Sequence, residues 1–107
     1  EKFEDDVQIN GLKIEFSKRK VVKKDTPVEL TPKEFELLYF LASHPGRTYT
    51  REQLLNKLWD IDFHGYEHTV NSHINRLRRK IEDDISNPKY IRTIWGVGYK
   101  FNDELLS

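Results

Sequence analysis

The segment from His68 to Ile81 constrains this chain more than any other stretch. Val70, Ile74, Leu77 and Ile81 are spaced by four, three and four residues, which lines one stripe of an α-helix and no single face of a strand. The helix is expected over about residues 67–83. Its opposite face carries His68, Ser72, Asn75, Arg76 and Arg79. Thr69, His73 and Lys80 flank that face on one side, Asn71 and Arg78 on the other. From Thr69 to Ile81 there are four Lys or Arg residues and no carboxylate. Arg can donate two hydrogen bonds to guanine, Asn can pair with adenine, and either can hold a phosphate. The face therefore has the chemistry of a major-groove reader. A solvated basic face on an ordinary surface helix has the same composition, so the rest of the chain must decide.

Length and composition set the outer bounds. A chain of 107 residues suits one domain with a modest core, expected over residues 7–103. Residues 1–6 are read as the end of a linker and residues 104–107 as a tail. No apolar run approaches the ~18 residues of a membrane span. The acidic start, Glu1 to Asp6, lacks the basic-then-apolar pattern of a signal peptide. Cys is absent, which removes disulfides and thiolate zinc sites and fits a cytoplasmic location. Met is absent even at position 1, so a piece of a longer protein is expected. The net charge is zero, but its distribution is uneven. Acids gather at Glu1 to Asp6 and Glu82 to Asp84. Bases gather at Arg76 to Lys80 and recur at Lys89, Arg92 and Lys100.

Taken in order, the chain opens with short strands. Val7–Ile9 and Leu12–Phe16 flank Asn10-Gly11, a strong hairpin signal because both residues tolerate positive φ. Lys20–Lys23 and Val28–Leu30 complete a four-stranded antiparallel meander. Thr31-Pro32-Lys33-Glu34 then starts a helix with a capping box and Pro in its first turn. His44-Pro45-Gly46 stops it, and Arg47-Thr48-Tyr49 is a brief extended link. Thr50-Arg51-Glu52-Gln53 repeats the capping box for a second helix ending near Trp59. Residues 60–66 form a loop before the basic helix. Tyr90 to Phe101 reads as a hairpin around Gly96-Val97-Gly98. The aromatics Phe35, Phe40, Trp59 and Tyr99 are expected in the core. The class is α+β: a winged helix-turn-helix with three helices, the meander before them and a β-hairpin wing over residues 90–101 after them. In such folds the last helix enters the major groove and the wing reaches phosphates or the adjacent minor groove.

The chain also resembles the C-terminal effector domain of OmpR/PhoB two-component response regulators, over nearly its whole length. The resemblance rests on Leu30-Thr31-Pro32-Lys33-Glu34-Phe35-Glu36-Leu37-Leu38, Tyr49-Thr50-Arg51-Glu52-Gln53-Leu54-Leu55 and Leu58-Trp59. It continues through Thr69-Val70, His73-Ile74, Arg76 to Ile81, Ile91-Arg92-Thr93 and Gly96-Val97-Gly98-Tyr99-Lys100-Phe101. It implies promoter binding, with two copies in tandem on direct repeats of double-stranded DNA. It also implies an upstream receiver domain phosphorylated through a cognate histidine kinase, and contact with RNA polymerase. No cofactor or membrane partner is implied. The location would be the bacterial cytoplasm, at the nucleoid when DNA-bound. Arg76 matches the family's main base-contacting arginine. Asn71 and Ser72 match variable positions facing bases or phosphates, and Thr93 a wing position near the backbone. Thr50 and Arg51 open the helix that crosses the backbone. Thr69, Arg79, Lys80 and Arg92 complete the expected DNA-binding set. Three positions depart from the pattern. His68 stands where some members have Arg, Asn75 replaces a frequent basic residue, and Trp95 replaces an arginine that enters the minor groove in certain members. Asp60, Asp62, Phe63, His64 and Tyr66 fall in the loop that touches RNA polymerase or the next protomer.

Two other readings compete. Asp60, Asp62, His64 and His68 cluster in sequence, but their spacing fits no standard metal site, and no metal is expected. Nothing resembles an activated nucleophile, so no enzyme is expected. A winged helix that docks proteins without touching DNA is the remaining alternative.

Overall fold

The computed structural model describes residues 6–60 and 66–106. Strands β1 (Val7–Ile9), β2 (Leu12–Glu15), β3 (Lys20–Lys23) and β4 (Thr26–Val28) form the antiparallel meander in sequence order. Asn10 and Gly11 both take positive φ, 48° and 88°, as the hairpin between β1 and β2 requires. Alternation does the rest. Ile9, Leu12, Ile14 and Val21 point inward and are buried, while Gln8, Lys13 and Lys20 point out. The fourth strand begins two residues earlier than Val28, because Lys24 and Asp25 both adopt positive φ and pair Thr26 with Lys23.

Three helices follow: α1 (Pro32–Ala42), α2 (Arg51–Trp59) and α3 (Glu67–Ile81). Both expected capping boxes are formed. The Thr31 hydroxyl accepts from the Glu34 amide while the Glu34 carboxylate accepts from the Thr31 amide, and Thr50 and Gln53 do the same for α2. The apolar stripe of α3 is fully enclosed: Val70, Ile74, Leu77 and Ile81 have no exposed surface. They pack with Phe35, Leu38, Leu41, Leu54 and Leu55 in one core. Each such side chain contributes about 1.5–3 kcal/mol by leaving water, which is what fixes α3 across α1 and α2. The helix stops at Ile81, short of 83. Glu82 turns to extended backbone, and its buried carboxylate accepts from the amides of Lys89, Tyr90 and Ile91.

The wing consists of β6 (Ile91–Ile94) and β7 (Gly98–Phe101), and it is not a free hairpin. Tyr49 and Thr50 form a further strand, β5, which pairs with Tyr99 and Gly98 to give a sheet of order β5-β7-β6. The sequence read this stretch only as an extended link. Gly98 permits the pairing, since a Cβ there would sit 2.0 Å from the Tyr49 carbonyl oxygen. Tyr90, fully buried, donates its hydroxyl to the Asn10 carbonyl at 2.6 Å and ties the wing's root to the first hairpin. Packing runs past both expected boundaries. The Asp6 carboxylate accepts from the Phe16 amide, and a short 3-10 turn at Asp103–Leu106 brings Leu105 against the core. Of the expected core aromatics, Phe35 is buried, whereas Phe40, Trp59 and Tyr99 pack against the core while partly exposed.

Lys80 is tied to this frame from the surface. Its ammonium lies 2.7 Å from Oε1 of Glu34, a side chain with no exposure. Burial pushes the Glu34 carboxyl up, but the hydrogen bonds from Lys80 and from the Thr31 amide outweigh it, and the group sits below its ordinary value. A carboxyl depressed in the folded state stabilises the fold above its unfolded pKa, and that stability is lost as pH falls through the folded value. Glu34→Gln is therefore expected to cost about 1–3 kcal/mol at pH 7. The gap should close in acid, measured by urea unfolding at pH 7 and pH 3. A gap of equal size at both pH values would contradict this role.

Candidate nucleic-acid interface

Each side of α3 has a different neighbour, and the neighbours decide which side chains remain available. On one flank, His73 Nδ1 lies 2.8 Å from the Thr69 carbonyl, and its ring meets Trp59 of α2 edge-on at 5.0 Å. Lys80 on the same flank is spent on Glu34. Lys80, expected to face DNA, pairs with a buried carboxylate on α1 while its side chain stays about a third exposed. On the other flank, Arg78 and Asn71 face the wing. Arg78 donates from Nε and Nη2 to the Ile91 carbonyl at 3.2 and 2.8 Å, and from Nη2 to the Thr93 hydroxyl at 2.8 Å. Its guanidinium also lies over the Tyr99 ring, 5.4 Å from the centroid. The Tyr99 hydroxyl donates to Asn71 Oδ1 at 2.7 Å.

Arg78 is the functional residue that sequence reasoning did not select. The helical wheel sets it on a flank of the basic face, and only 8% of it is exposed. Burial lowers its pKa, against the raising influence of Tyr99 and Glu82, but an arginine starts high enough to stay charged. Asn71 and Thr93, expected to face DNA, serve first as anchors between helix and wing. A helical wheel gives their angle around α3 but not the neighbour at that angle.

What remains between the flanks is the face read from the sequence. His68, Asn75, Arg76 and Arg79 are exposed, with Ser72 half-buried among them. Arg51 is exposed at the first turn of α2, beside the positive end of that helix dipole. Thr50, which caps α2, is half-buried. Arg92 is exposed on β6, and Trp95 is 89% exposed at the wing tip. An open groove of about 450 Å3 separates α3 from the wing, and Arg51, Asn75, Thr93 and Trp95 are among its lining residues. No carboxylate lines it. Among the loop residues expected to meet partners, Asp60 ends α2 in a left-handed conformation and Tyr66 is exposed. Asp62, Phe63 and His64 lie outside the described residues.

Charge pairing separates this face from the rest of the surface. On the sheet side, Lys18 pairs with Glu15, Arg19 with Glu36, and Lys23 and Lys24 with Asp83. The hydrogen bonds from Lys23 and Lys24 hold the Asp83 carboxyl below its ordinary range. Among the described residues, Arg51, Arg76, Arg79 and Arg92 enter no ion pair. Lys20, Arg47 and Lys57 enter none either, so what distinguishes this face is four unpaired arginines gathered around α3, the start of α2 and the wing.

If Arg78 holds the wing, Arg78→Met should free it. Loss of three hydrogen bonds, with the Ile91 carbonyl left buried, is expected to cost about 1–3 kcal/mol. Amide hydrogen exchange over residues 92–99 should accelerate more than in the core helices. Arg78→Lys should not restore protection, because an ammonium cannot reproduce the planar fork. Unchanged exchange in the wing would show that β5 alone secures it.

The chain matches the family described as "Transcriptional regulatory protein, C terminal" over residues 25–101. It is 44% identical over 103 residues to the alkaline phosphatase synthesis transcriptional regulatory protein PhoP of Bacillus subtilis, a match covering 96% of this chain and 43% of that protein. The chain thus spans less than half the length of the curated relatives it matches. Its fold is similar to the response regulator DrrB of Thermotoga maritima, an OmpR/PhoB homologue, at TM-score 0.84 and 41% identity, covering 91% of this chain and 44% of that one. It is also similar to the RstA DNA-binding domain of Klebsiella pneumoniae in complex with the RstA box, at TM-score 0.85 and 30% identity, covering 92% of this chain and 98% of that one.

Proposed function

The chain belongs to the family of C-terminal domains of transcriptional regulatory proteins, of the OmpR/PhoB type, and from that premise we propose that it binds double-stranded promoter DNA sequence-specifically. The observation that carries this reading is the exposed face of α3, where Arg76 and Arg79 enter no ion pair with a described residue, presented by a helix whose two flanks are anchored to α2 and to the wing. In this reading α3 lies in the major groove, where Arg76 and Asn75 read base edges. Arg51, Arg79 and Arg92 hold phosphates and fix the register. The family is one of transcription regulators rather than enzymes, and the role needs no catalytic group or cofactor.

The longer relatives extend the proposal. An upstream receiver domain, phosphorylated through a histidine kinase, would control when this domain meets its site. Two copies would sit in tandem on direct repeats, and residues between α2 and α3, with Asp60 and Tyr66 at its ends, would meet RNA polymerase. The protein would act in the bacterial cytoplasm, at the nucleoid when bound.

The test is fluorescence anisotropy on duplexes selected from random sequence, at several salt concentrations. Arg76→Ala is expected to cost about 1–3 kcal/mol on the selected sequence and to relax preference at one base pair. Equal loss on every sequence would make Arg76 a phosphate contact instead. Arg92→Ala should weaken binding uniformly and shallow the logarithmic salt slope by about one unit. No binding at low salt would overturn the DNA-binding reading.

A further inference from the structure

Two asparagines stand one turn apart on α3, and the fold treats them differently. Asn71 and Asn75 are four residues apart and both line the groove between the helix and the wing. Asn75 is exposed, and no described residue bonds to its side chain. Asn71 is half-buried, and the Tyr99 hydroxyl donates to its Oδ1 at 2.7 Å. Asn71 lies in the second turn of α3, within the part of a recognition helix that meets base edges.

The donor is itself held. Tyr99 sits on β7 between two strands, in register with Tyr49 of β5 and Thr93 of β6. The Arg78 guanidinium lies over its ring, and Arg78 in turn bonds to the Ile91 carbonyl and the Thr93 hydroxyl. The hydroxyl therefore reaches Asn71 from a fixed place. A free asparagine can turn either end of its amide outward, since rotation about one bond exchanges the oxygen and the nitrogen. Here the oxygen is turned to the wing. The two N–H donors of Nδ2 are left for the groove and have no acceptor among the described residues.

Resting on the DNA-binding reading above, we propose that Tyr99 is a positioning residue for base recognition, which fixes Asn71 as a donor that selects guanine and rejects adenine. In the major groove guanine shows two acceptors side by side, O6 and N7, whereas adenine shows the acceptor N7 beside the N6 amino donor. An asparagine that reads adenine needs both its oxygen and its nitrogen on that base. Asn71 has its oxygen turned to the wing, so adenine would set its amino group against an N–H donor. Guanine offers the same amide an acceptor at either atom. Asn75, one turn on and not held, keeps both ends of its amide for adenine. Both side chains are neutral, so the choice adds nothing to counterion release.

Selection from a random duplex library, followed by anisotropy on single-base variants of the selected sequence, tests this for the parent, Asn71→Ala and Tyr99→Phe. Tyr99→Phe keeps the ring beneath Arg78 and removes only the hydroxyl. The parent is expected to hold guanine over adenine at one position by roughly five-fold, the scale of one neutral hydrogen bond. Asn71→Ala should lose that preference alone. Tyr99→Phe should lose it at the same position, because the freed amide can turn its oxygen to the adenine amino group. The salt slope and the preferences read elsewhere should stay as in the parent. Adenine preferred by the parent at the Asn71 position, or a profile in either variant identical to the parent's, would overturn the proposal. So would equal weakening on every sequence, which would make Asn71 a phosphate contact or Tyr99 a structural brace alone. In each of these results specific binding remains and the DNA-binding reading stands. No binding to any duplex by the folded parent would remove that reading and this one together.

Discussion

The geometry of the binding face depends on one buried cation. Arg78 brings a charge into the seam between α3 and the wing, where desolvation is costly. Two hydrogen bonds to the Ile91 carbonyl and one to Thr93 offset that cost, and the Tyr99 ring lies beneath the guanidinium. The return is geometric. A helix and a two-stranded hairpin, which share no backbone hydrogen bonds with each other, are held at one separation. Tyr99 to Asn71 adds a second tie on the same seam, and β5 secures the far edge of the wing. That separation sets the width of the groove between α3 and the wing tip.

The second constraint is the distribution of charge pairing. Eighteen cations balance eighteen anions, so no overall field distinguishes the chain. The difference lies in which cations have partners. Asp83 gathers Lys23 and Lys24, Glu36 takes Arg19, and Glu34 takes Lys80. The exposed pairs of Asp83 and Glu36 contribute little to stability, unlike the pair of Lys80 with the buried Glu34. Their larger effect is to reduce positive potential away from the binding face, where Lys20 and Lys57 remain unpaired among the described residues, so that the cluster of Arg51, Arg76, Arg79 and Arg92 dominates.

Much of this was legible in the sequence, for identifiable reasons. The stripe Val70, Ile74, Leu77, Ile81 has only one helical solution, and both capping boxes sit where their spacing puts them. Asn10-Gly11 turned the chain as its chemistry requires. The misses share a cause. Periodicity gives an angle around a helix, not the neighbour at that angle. Periodicity sets Arg78, Asn71 and Lys80 on the flanks of the basic face but cannot show that Arg78 and Asn71 bond to the wing and Lys80 to Glu34 of α1. Strand β5 is two residues long, too short for any alternation to register, and its only trace was the glycine at position 98 that lets it approach. Glu82 looked like part of an acidic cluster but acts as the acceptor for three amides, a role visible only once the chain has folded back.

The central claim is that α3, the start of α2 and the wing form one recognition surface, while the meander stands apart from it. Backbone amide NMR during titration with a selected duplex tests this most directly. The account predicts that chemical-shift changes gather at residues 50–52, 68–79 and 92–97, with residues 7–28 nearly still. Changes centred on the meander or on the outer side of α1, with α3 unmoved, would contradict it.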